Sequence, residues 1–453
     1  MTQHCEILTQ VFQSQVTLDV EDRLNTLSRL ESMLKAHRDI LVQSVFKDLG
    51  RPTIETFLSE IYFTIQEIRH AKRYLRKWSM PKQVKGPLFN WPSKNIVASK
   101  PKGVVLIIAP WNYPIQLTLS PAIAALGAGN VVFIKPSEHA PHTSECLKEI
   151  SLACGLGGRI QWVMGGPDQV DQLLEMKWDH VFFTGSEKIG RKVYEKAAQS
   201  LTPVTLELGG RNPCVVDSTA KIEQTVNRVC HGKFFNAGQT CVAPNVLIVP
   251  DHLQELYIDK LKATILAWYG KDPALSPDFG RIVNEIHVER IEKLIPEHAI
   301  QFGKIDRKAH FVPPMIIPDT KWSDSWIQDE IFGPILPVIP YKKEEDLNAE
   351  LPKYRHALAC YVFSRNDHFI NRVESLVRPA TMGINDTMKQ ITTNTMPLGG
   401  RGHSGIGRYR GYHGFETFSH FQSISKRYFN RWDLFSLFPP YGKKGEKLLK
   451  WLS

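Results

Sequence analysis

Nowhere does this chain of 453 residues hold an unbroken apolar run of the roughly 18 residues that a membrane-spanning helix needs. Its opening, Met1-Thr2-Gln3-His4-Cys5-Glu6, has no basic stretch leading into an apolar one, so a secretory signal is not expected. Cysteine is scarce. The seven present are odd in number and lack paired spacing, which argues against a disulfide framework and fits a reducing, cytoplasmic setting. No His, Cys and Asp grouping has metal-ligand spacing, so no metal is expected. Internal repeats and low-complexity segments are missing too. The net charge of +10 comes without a nucleic-acid recognition motif, and Lys and Arg are spread along the chain. A basic protein handling small anions, with no nucleic-acid partner, is the reading.

What is there suits a globular protein: hydrophobic residues make up 42% and charged residues 23%. The length allows about two or three ordinary domains. The first 80 residues read as helical. From Ile54 to Trp78, Phe57, Ile61, Ile65, Ile68 and Leu75 recur at helical spacing. Residues 81–102 carry four prolines and predict an extended excursion, a hairpin that leaves the body. From Gly103 the rhythm becomes strand, turn, helix. Strands are expected at Val104–Ile108, Val131–Ile134, Ile160–Val163, Val181–Phe183 and Pro203–Leu206, with helices between them. That alternation implies right-handed crossovers and a parallel sheet covered on both faces, an α/β nucleotide-binding architecture. A second α/β region begins after Gly210, and the glycine-rich stretch 398–407 predicts backbone packed closely against something. Glu416 to Ser425 is expected to be a strand pairing with the early excursion.

The chemistry centres on Cys241, which closes the run Lys233-Phe234-Phe235-Asn236-Ala237-Gly238-Gln239-Thr240-Cys241. A cysteine thiolate adds readily to a carbonyl carbon. Glu207, in Val204-Thr205-Leu206-Glu207-Leu208-Gly209-Gly210, is a carboxylate able to activate water if the fold brings it to the same cleft. Nucleophile, base and nucleotide fold together point to oxidation of a carbonyl through a thioester. A lone cysteine is by default a small core residue, and an acid at a strand end is by default a cap. The neighbouring motifs decide against those defaults.

In order along the chain stand Pro110-Trp111-Asn112-Tyr113-Pro114, Lys135-Pro136-Ser137-Glu138, Phe183-Thr184-Gly185-Ser186, Glu207-Leu208-Gly209-Gly210, Gly238-Gln239-Thr240-Cys241 and Glu330-Ile331-Phe332-Gly333-Pro334. Asn385-Asp386 and the glycine-rich loop follow. Together they resemble the aldehyde dehydrogenase superfamily, over about residues 15–430. Tyr412-His413-Gly414-Phe415-Glu416-Thr417-Phe418-Ser419-His420 is similar to its class 3, or fatty-aldehyde, branch. The resemblance implies Cys241 as nucleophile, Asn112 as oxyanion donor and Glu207 as general base. It implies coenzyme contacts from Trp111, Lys135, Glu138, Gly185, Ser186, Glu330 and Phe332, with Lys135 and Glu138 facing the adenosine ribose. Tyr113, His231, Phe235 and Thr240 flank the motifs and are expected to line the aldehyde tunnel, although His231 also reads as an ordinary packed histidine. NAD and NADP are both expected as coenzyme, with NAD preferred because Glu138 would repel a 2′-phosphate.

The implied subunit has a Rossmann-like NAD(P)-binding domain (1–80 and 103–208), an α/β catalytic domain (209–398) and a small β bridging unit (81–102 and 399–430). A bridging strand of this kind pairs across subunits, so a homodimer is expected. Residues 431–453 form a basic amphipathic tail; a solvated helix accounts for it, and weak peripheral contact with a membrane surface is the alternative. Departures from the family pattern, Met396-Pro397-Leu398 and Arg408-Tyr409-Arg410-Gly411, are expected near the tunnel mouth and subunit contact. Two other functions stay open on sequence: acyl transfer to coenzyme A or phosphate, and a non-catalytic homologue. Relatives of the first kind lack the glutamate at the Glu207 position. A cysteine hydrolase would need a His partner and no dinucleotide cleft.

Overall fold

Five parallel strands form the first sheet's core because their side chains are apolar in near-continuous runs, the pattern of strands covered on both faces. A computed structural model describes residues 2–87, 90–428 and 439–452. Residues 88–89 of the expected excursion, 429–430 of the expected bridging unit and 431–438 of the expected tail lie outside them. The first sheet runs in the order Gly405–Ile406, Val204–Glu207, His180–Thr184, Val104–Ile108, Val131–Lys135, Ile160–Trp162. All pairings are parallel except the short Gly405–Ile406 strand, which runs antiparallel beside Glu207 and Leu206. Val105, Ile107, Val132, Ile134 and Phe182 face one layer of helices, and Leu106, Phe133, Val181 and Phe183 face the other. Burying each such side chain contributes about 1.5–3 kcal/mol.

A second, seven-stranded sheet follows: Ile300–Gln301, Met315–Ile317, Ile335–Tyr341, Val246–Pro250, Pro213–Val216, Ala359–Phe363, Thr381–Ile384. The third is a ribbon of Lys82–Val84, Ser93–Pro101 and Ser419–Arg427. Its long pairing runs from Ser419 opposite Pro101 to Arg427 opposite Ser93. The excursion is thus a hairpin, and the late strand pairs with it as expected.

Two local expectations need correction. The region Ile54–Trp78 is not one α-helix. Thr53–Thr56 and Phe63–Ser79 are α-helical, but Phe57–Tyr62 between them is a π-helical turn. Apolar spacing over such a stretch reads the same for both, and Ile61, Ile65, Ile68 and Leu75 are buried regardless. The late strand also starts later than Glu416. Gly411–Thr417 is helical, with Phe415 buried against the first core, and the strand opens at Ser419.

Candidate active site

The helix Ile222–Phe234 ends just ahead of Cys241, and three successive residues then leave helical geometry: Asn236, Ala237 and Gly238 have φ of 53°, 51° and 77°. Only glycine adopts that region freely, so the two others must be held in place. Glu55 accepts the Asn236 N–H at 3.0 Å, and Asn236 Nδ2 donates to the Asn112 carbonyl at 3.0 Å. Gly238 lies against the turn after Glu330, where a Cβ would meet the Gly333 carbonyl at 2.3 Å. Gln239 locks the loop to the next segment: Nε2 donates to the Arg281 carbonyl at 2.9 Å, and Oε1 accepts the Val283 N–H at 3.0 Å. These contacts set where Cys241 emerges. Its carbonyl accepts Asn212 Nδ2 at 2.7 Å.

Cys241 opens into a cavity of about 850 Å³ between the two large sheets. Asn112, Glu207, Glu330, Phe332, Trp111, Gly185 and Ser186 line the same cavity. Glu207 is the last residue of its strand and is 5% exposed. The glycine-rich loop closes over that strand end: Leu208 N–H donates to the Ser404 carbonyl at 3.1 Å, and a Cβ on Gly405 would meet the Leu206 carbonyl at 2.1 Å. Ser186 stands at the N-cap position of the helix Glu187–Gln199 without a side-chain capping bond, and it lines the cavity together with Glu187. Trp111 meets Phe332 edge-on at 5.5 Å and His287 at 5.1 Å, forming an aromatic wall.

Charge in this cavity is desolvated. Burial pushes the Cys241 thiol up to about 12, with the Glu330 and Glu207 carboxylates adding to it and Arg410 opposing. Burial lifts Glu207 to about 8, again against Arg410, and Glu330 to about 7, against a Gly210 N–H, Arg290 and Lys233. Lys233, itself buried, falls to about 7. Glu207 Oε1 and Glu330 Oε1 are buried without a hydrogen-bond partner among the described residues. Unsatisfied carboxylate oxygens facing a cavity are costly unless a ligand or water meets them. A dinucleotide fits this setting: Glu330 can accept a ribose hydroxyl, the helix start at Ser186 suits a pyrophosphate, and the Trp111–Phe332 wall suits a flat ring.

Not every expected residue lies here. Lys135 ends its strand and donates to Glu138 at 2.6 Å, and both sit outside the lining of this cavity. Tyr113, His231, Phe235 and Thr240 also lie outside it. Tyr113 is buried, and its hydroxyl is 2.6 Å from Thr240 Oγ1, so the pair pins the Asn112 loop to the cysteine loop. His231 is exposed rather than packed in a core, with its ring 5.3 Å from Phe235.

Of the departures in the late loop, Leu398 and Tyr409 line the cavity; Met396 and Arg408 are exposed, while Tyr409 and Arg410 turn inward, at 1% and 3% exposure. The positive φ of Arg410, 86°, makes that turn, and its charge reaches both Glu207 and Cys241. Sequence reasoning gave no site role to Lys233 or Arg290, and it marked Arg410 only as part of a departure from the family pattern. Arg290 donates to the Ile331 and Phe332 carbonyls at 2.8 and 3.0 Å, bracing the Glu330 turn.

Residues 5–424 match the model of the aldehyde dehydrogenase family. The chain belongs to that family. It is 36% identical over 415 residues to the 4,4′-diaponeurosporen-aldehyde dehydrogenase of Staphylococcus aureus, covering 91% of this chain and 90% of that protein. It is also 36% identical to human aldehyde dehydrogenase family 3 member B1, covering 93% of this chain and 90% of the relative. Its structure superposes on the substrate-bound state of Staphylococcus aureus AldH with a TM-score of 0.96 at 34% identity, over 100% of this chain and 99% of that one. The dehydrogenase is therefore an NAD(P)-dependent oxidoreductase acting on aldehydes, and its class 3 likeness is borne out.

Proposed function

We propose that this dehydrogenase oxidises medium- or long-chain aliphatic or aromatic aldehydes to carboxylic acids through a Cys241 thioester. The observation that carries the reading is the convergence of Cys241, Asn112, Glu207 and Glu330 on one cavity. Cys241 loses its proton and its sulfur attacks the aldehyde carbon, giving a thiohemiacetal. The Asn112 side-chain amide and the Cys241 N–H meet the oxygen as it becomes an anion; one well-placed donor of this kind contributes about 3–4 kcal/mol. The bound nicotinamide coenzyme supplies the hydride acceptor. Glu207 then takes a proton from the water that attacks the thioester, and the acid leaves Cys241. Glu330, Phe332, Trp111, Gly185 and Ser186 hold the coenzyme in this reading, with Lys135 and Glu138 at its adenosine end.

Apolar lining from Leu117, Leu398, Phe332 and Tyr409 supports an apolar aldehyde. Tyr113, His231, Phe235 and Thr240 belong to the aldehyde side of Cys241. The Lys135–Glu138 pair supports acceptance of both coenzymes with NAD preferred, since the carboxylate repels a 2′-phosphate. The division into coenzyme-binding (1–80 and 103–208), catalytic (209–398) and bridging (81–102 and 399–430) units belongs to the same reading. Ser419–Arg427 is an exposed edge strand of nine residues, which supports pairing with a second copy as a homodimer. No helix among the described residues is long and apolar enough to cross a membrane. The helix Gly442–Leu452 exposes Leu449 and Trp451 beside Lys443, Lys444, Lys447 and Lys450, which supports weak peripheral contact with an anionic surface. Cytoplasmic location rests on cysteines that are all free. The test is the mass of Glu207→Gln after exposure to aldehyde and NAD. An adduct of one acyl group on the Cys241 peptide supports the reading, and an unmodified Cys241 after coenzyme reduction contradicts it.

A further inference from the structure

Arg51 is fully buried, as is its partner Glu60, at 0% side-chain exposure each and 2.7 Å apart. A buried ion pair is a poor source of stability, because desolvating both charges offsets most of their attraction. The pair's remaining contacts are therefore informative. Arg51 Nε donates to Asn236 Oδ1 at 2.9 Å, and Nη2 donates to the Asn112 carbonyl. Asn236 Nδ2, turned by that contact, donates to the Asn112 carbonyl at 3.0 Å and the Gln239 carbonyl at 3.2 Å. Asn112 Nδ2 in turn donates to the Gln239 carbonyl at 3.0 Å. One N–H of that amide is thereby fixed on the cysteine loop, and the other is left for the cavity.

Glu60 holds the cation from behind. Its Oε1 pairs with Arg51, and its Oε2 accepts the N–H groups of Ile115 and Gln116 at 2.8 and 2.9 Å, at the start of the helix Gln116–Gly127. Glu60 belongs to the π-helical turn Phe57–Tyr62, which departs from regular helix at this point. Such turns are frequent at functional sites. The guanidinium also lies 4.7 Å over the ring of Tyr113, the residue after Asn112. The planar fork of arginine serves two separate oxygens and a carboxylate at once, which a lysine ammonium cannot match in geometry.

We propose that Arg51, backed by Glu60, is a positioning residue that sets the Asn112 amide and the left-handed Asn236 turn in register for stabilising the oxyanion at Cys241. This rests on the Cys241 and Asn112 roles proposed above. It adds a determinant from the N-terminal helices, outside the motifs that carry the family resemblance.

The test uses the full chain and two readouts. One is aldehyde-dependent coenzyme reduction. The other is the burst of p-nitrophenol from p-nitrophenyl acetate, which needs Cys241 and an oxyanion site but no coenzyme: the thiolate attacks the ester carbonyl and p-nitrophenolate leaves. Arg51→Met strands a buried Glu60 charge, so Arg51→Met/Glu60→Met is made beside it to remove both charges together. In the folded double variant both the burst rate and kcat are expected to fall about ten-fold or more, with aldehyde KM within about two-fold. Alkylation of Cys241 by iodoacetamide should stay within about two-fold, because that reaction forms no oxyanion. Arg51→Lys should fall between the two. A folded double variant with unchanged burst rate and kcat overturns the proposal, and so does equal loss of alkylation, which marks general damage to the loop. An intact protein that gives the ester burst but oxidises no aldehyde contradicts the dehydrogenase reading while leaving the Arg51 comparison readable. An intact protein that gives neither overturns both.

Discussion

The side-chain amide of Asn112 donates to the carbonyl of Gln239 across 3.0 Å and so joins two loops far apart in sequence. One follows the central strand Val104–Ile108 of the first sheet, and the other carries Cys241. The proposed oxyanion donor is thus tied to the segment of the nucleophile it serves. A shift of either loop moves both.

The rate of thioester hydrolysis should depend on pH through Glu207. Burial raises its carboxyl to about 8, so near neutrality much of it is protonated and cannot accept a proton. Activity is therefore expected to rise as pH climbs through about 8 and to level off above it. Arg410→Gln removes the opposing charge and should move the midpoint further up, by about one unit. Single-turnover decay of the acyl-enzyme against pH measures this. A flat profile between pH 6 and 9, bracketing the midpoint by about one unit or more on each side, counts against Glu207 as the base.

Gly209→Ala should damage coenzyme use selectively. An added Cβ would lie 2.0 Å from Glu330 Oε2, so the carboxylate must move. The coenzyme KM is expected to rise about ten-fold, with alkylation of Cys241 nearly unchanged. Coenzyme titration of the variant checks it, and an unaltered KM would remove Glu330 from the coenzyme site.

Glu138→Gln should favour NADP. The carboxylate pairs with Lys135 at 2.6 Å, and neutralising it frees that ammonium for a 2′-phosphate. The ratio of kcat/KM for NADP to that for NAD is expected to rise about three- to ten-fold. A ratio that does not rise would place coenzyme selection elsewhere.

Removing residues 439–453 should weaken binding to anionic vesicles and leave turnover of short aldehydes intact. The deleted helix carries Lys443, Lys444, Lys447 and Lys450 beside exposed Leu449 and Trp451. Each basic residue near an anionic surface contributes about 1 kcal/mol. Co-sedimentation with vesicles measures the loss, and equal binding by both forms would dismiss the membrane contact.

Much of this was legible in the chain because local pattern and local geometry coincide. The strands around Val105, Val132 and Val181 announce themselves as apolar runs between turns, and the glycines of 398–407 mark a close approach found at the Leu206 carbonyl. Cys241 and Glu207 stood out through their neighbours, and one cavity receives both. Arg51, Lys233, Arg290 and Arg410 did not. Lys233 opens the cysteine run and Arg410 lies in a departure from the family pattern, but nothing in the neighbourhood of any of the four signals that its charge is buried, and that burial comes from elements that meet only in the folded chain. The π-helical turn escaped for a related reason: one extra residue per turn changes which side chains face inward without changing their composition. The inward turn of Tyr409 and Arg410 depends on a positive φ at Arg410, which an arginine does not advertise.

The central claim is a Cys241 thioester released by Glu207, and pre-steady-state coenzyme reduction tests it most directly. The intact protein, Cys241→Ala and Glu207→Gln are mixed with NAD and an aliphatic aldehyde, without coenzyme A or phosphate. The account predicts sustained turnover for the first and none for the second. For the third it predicts a burst of about one coenzyme per active site followed by a stall. Sustained turnover by Glu207→Gln at the intact rate, or any by Cys241→Ala, would contradict it.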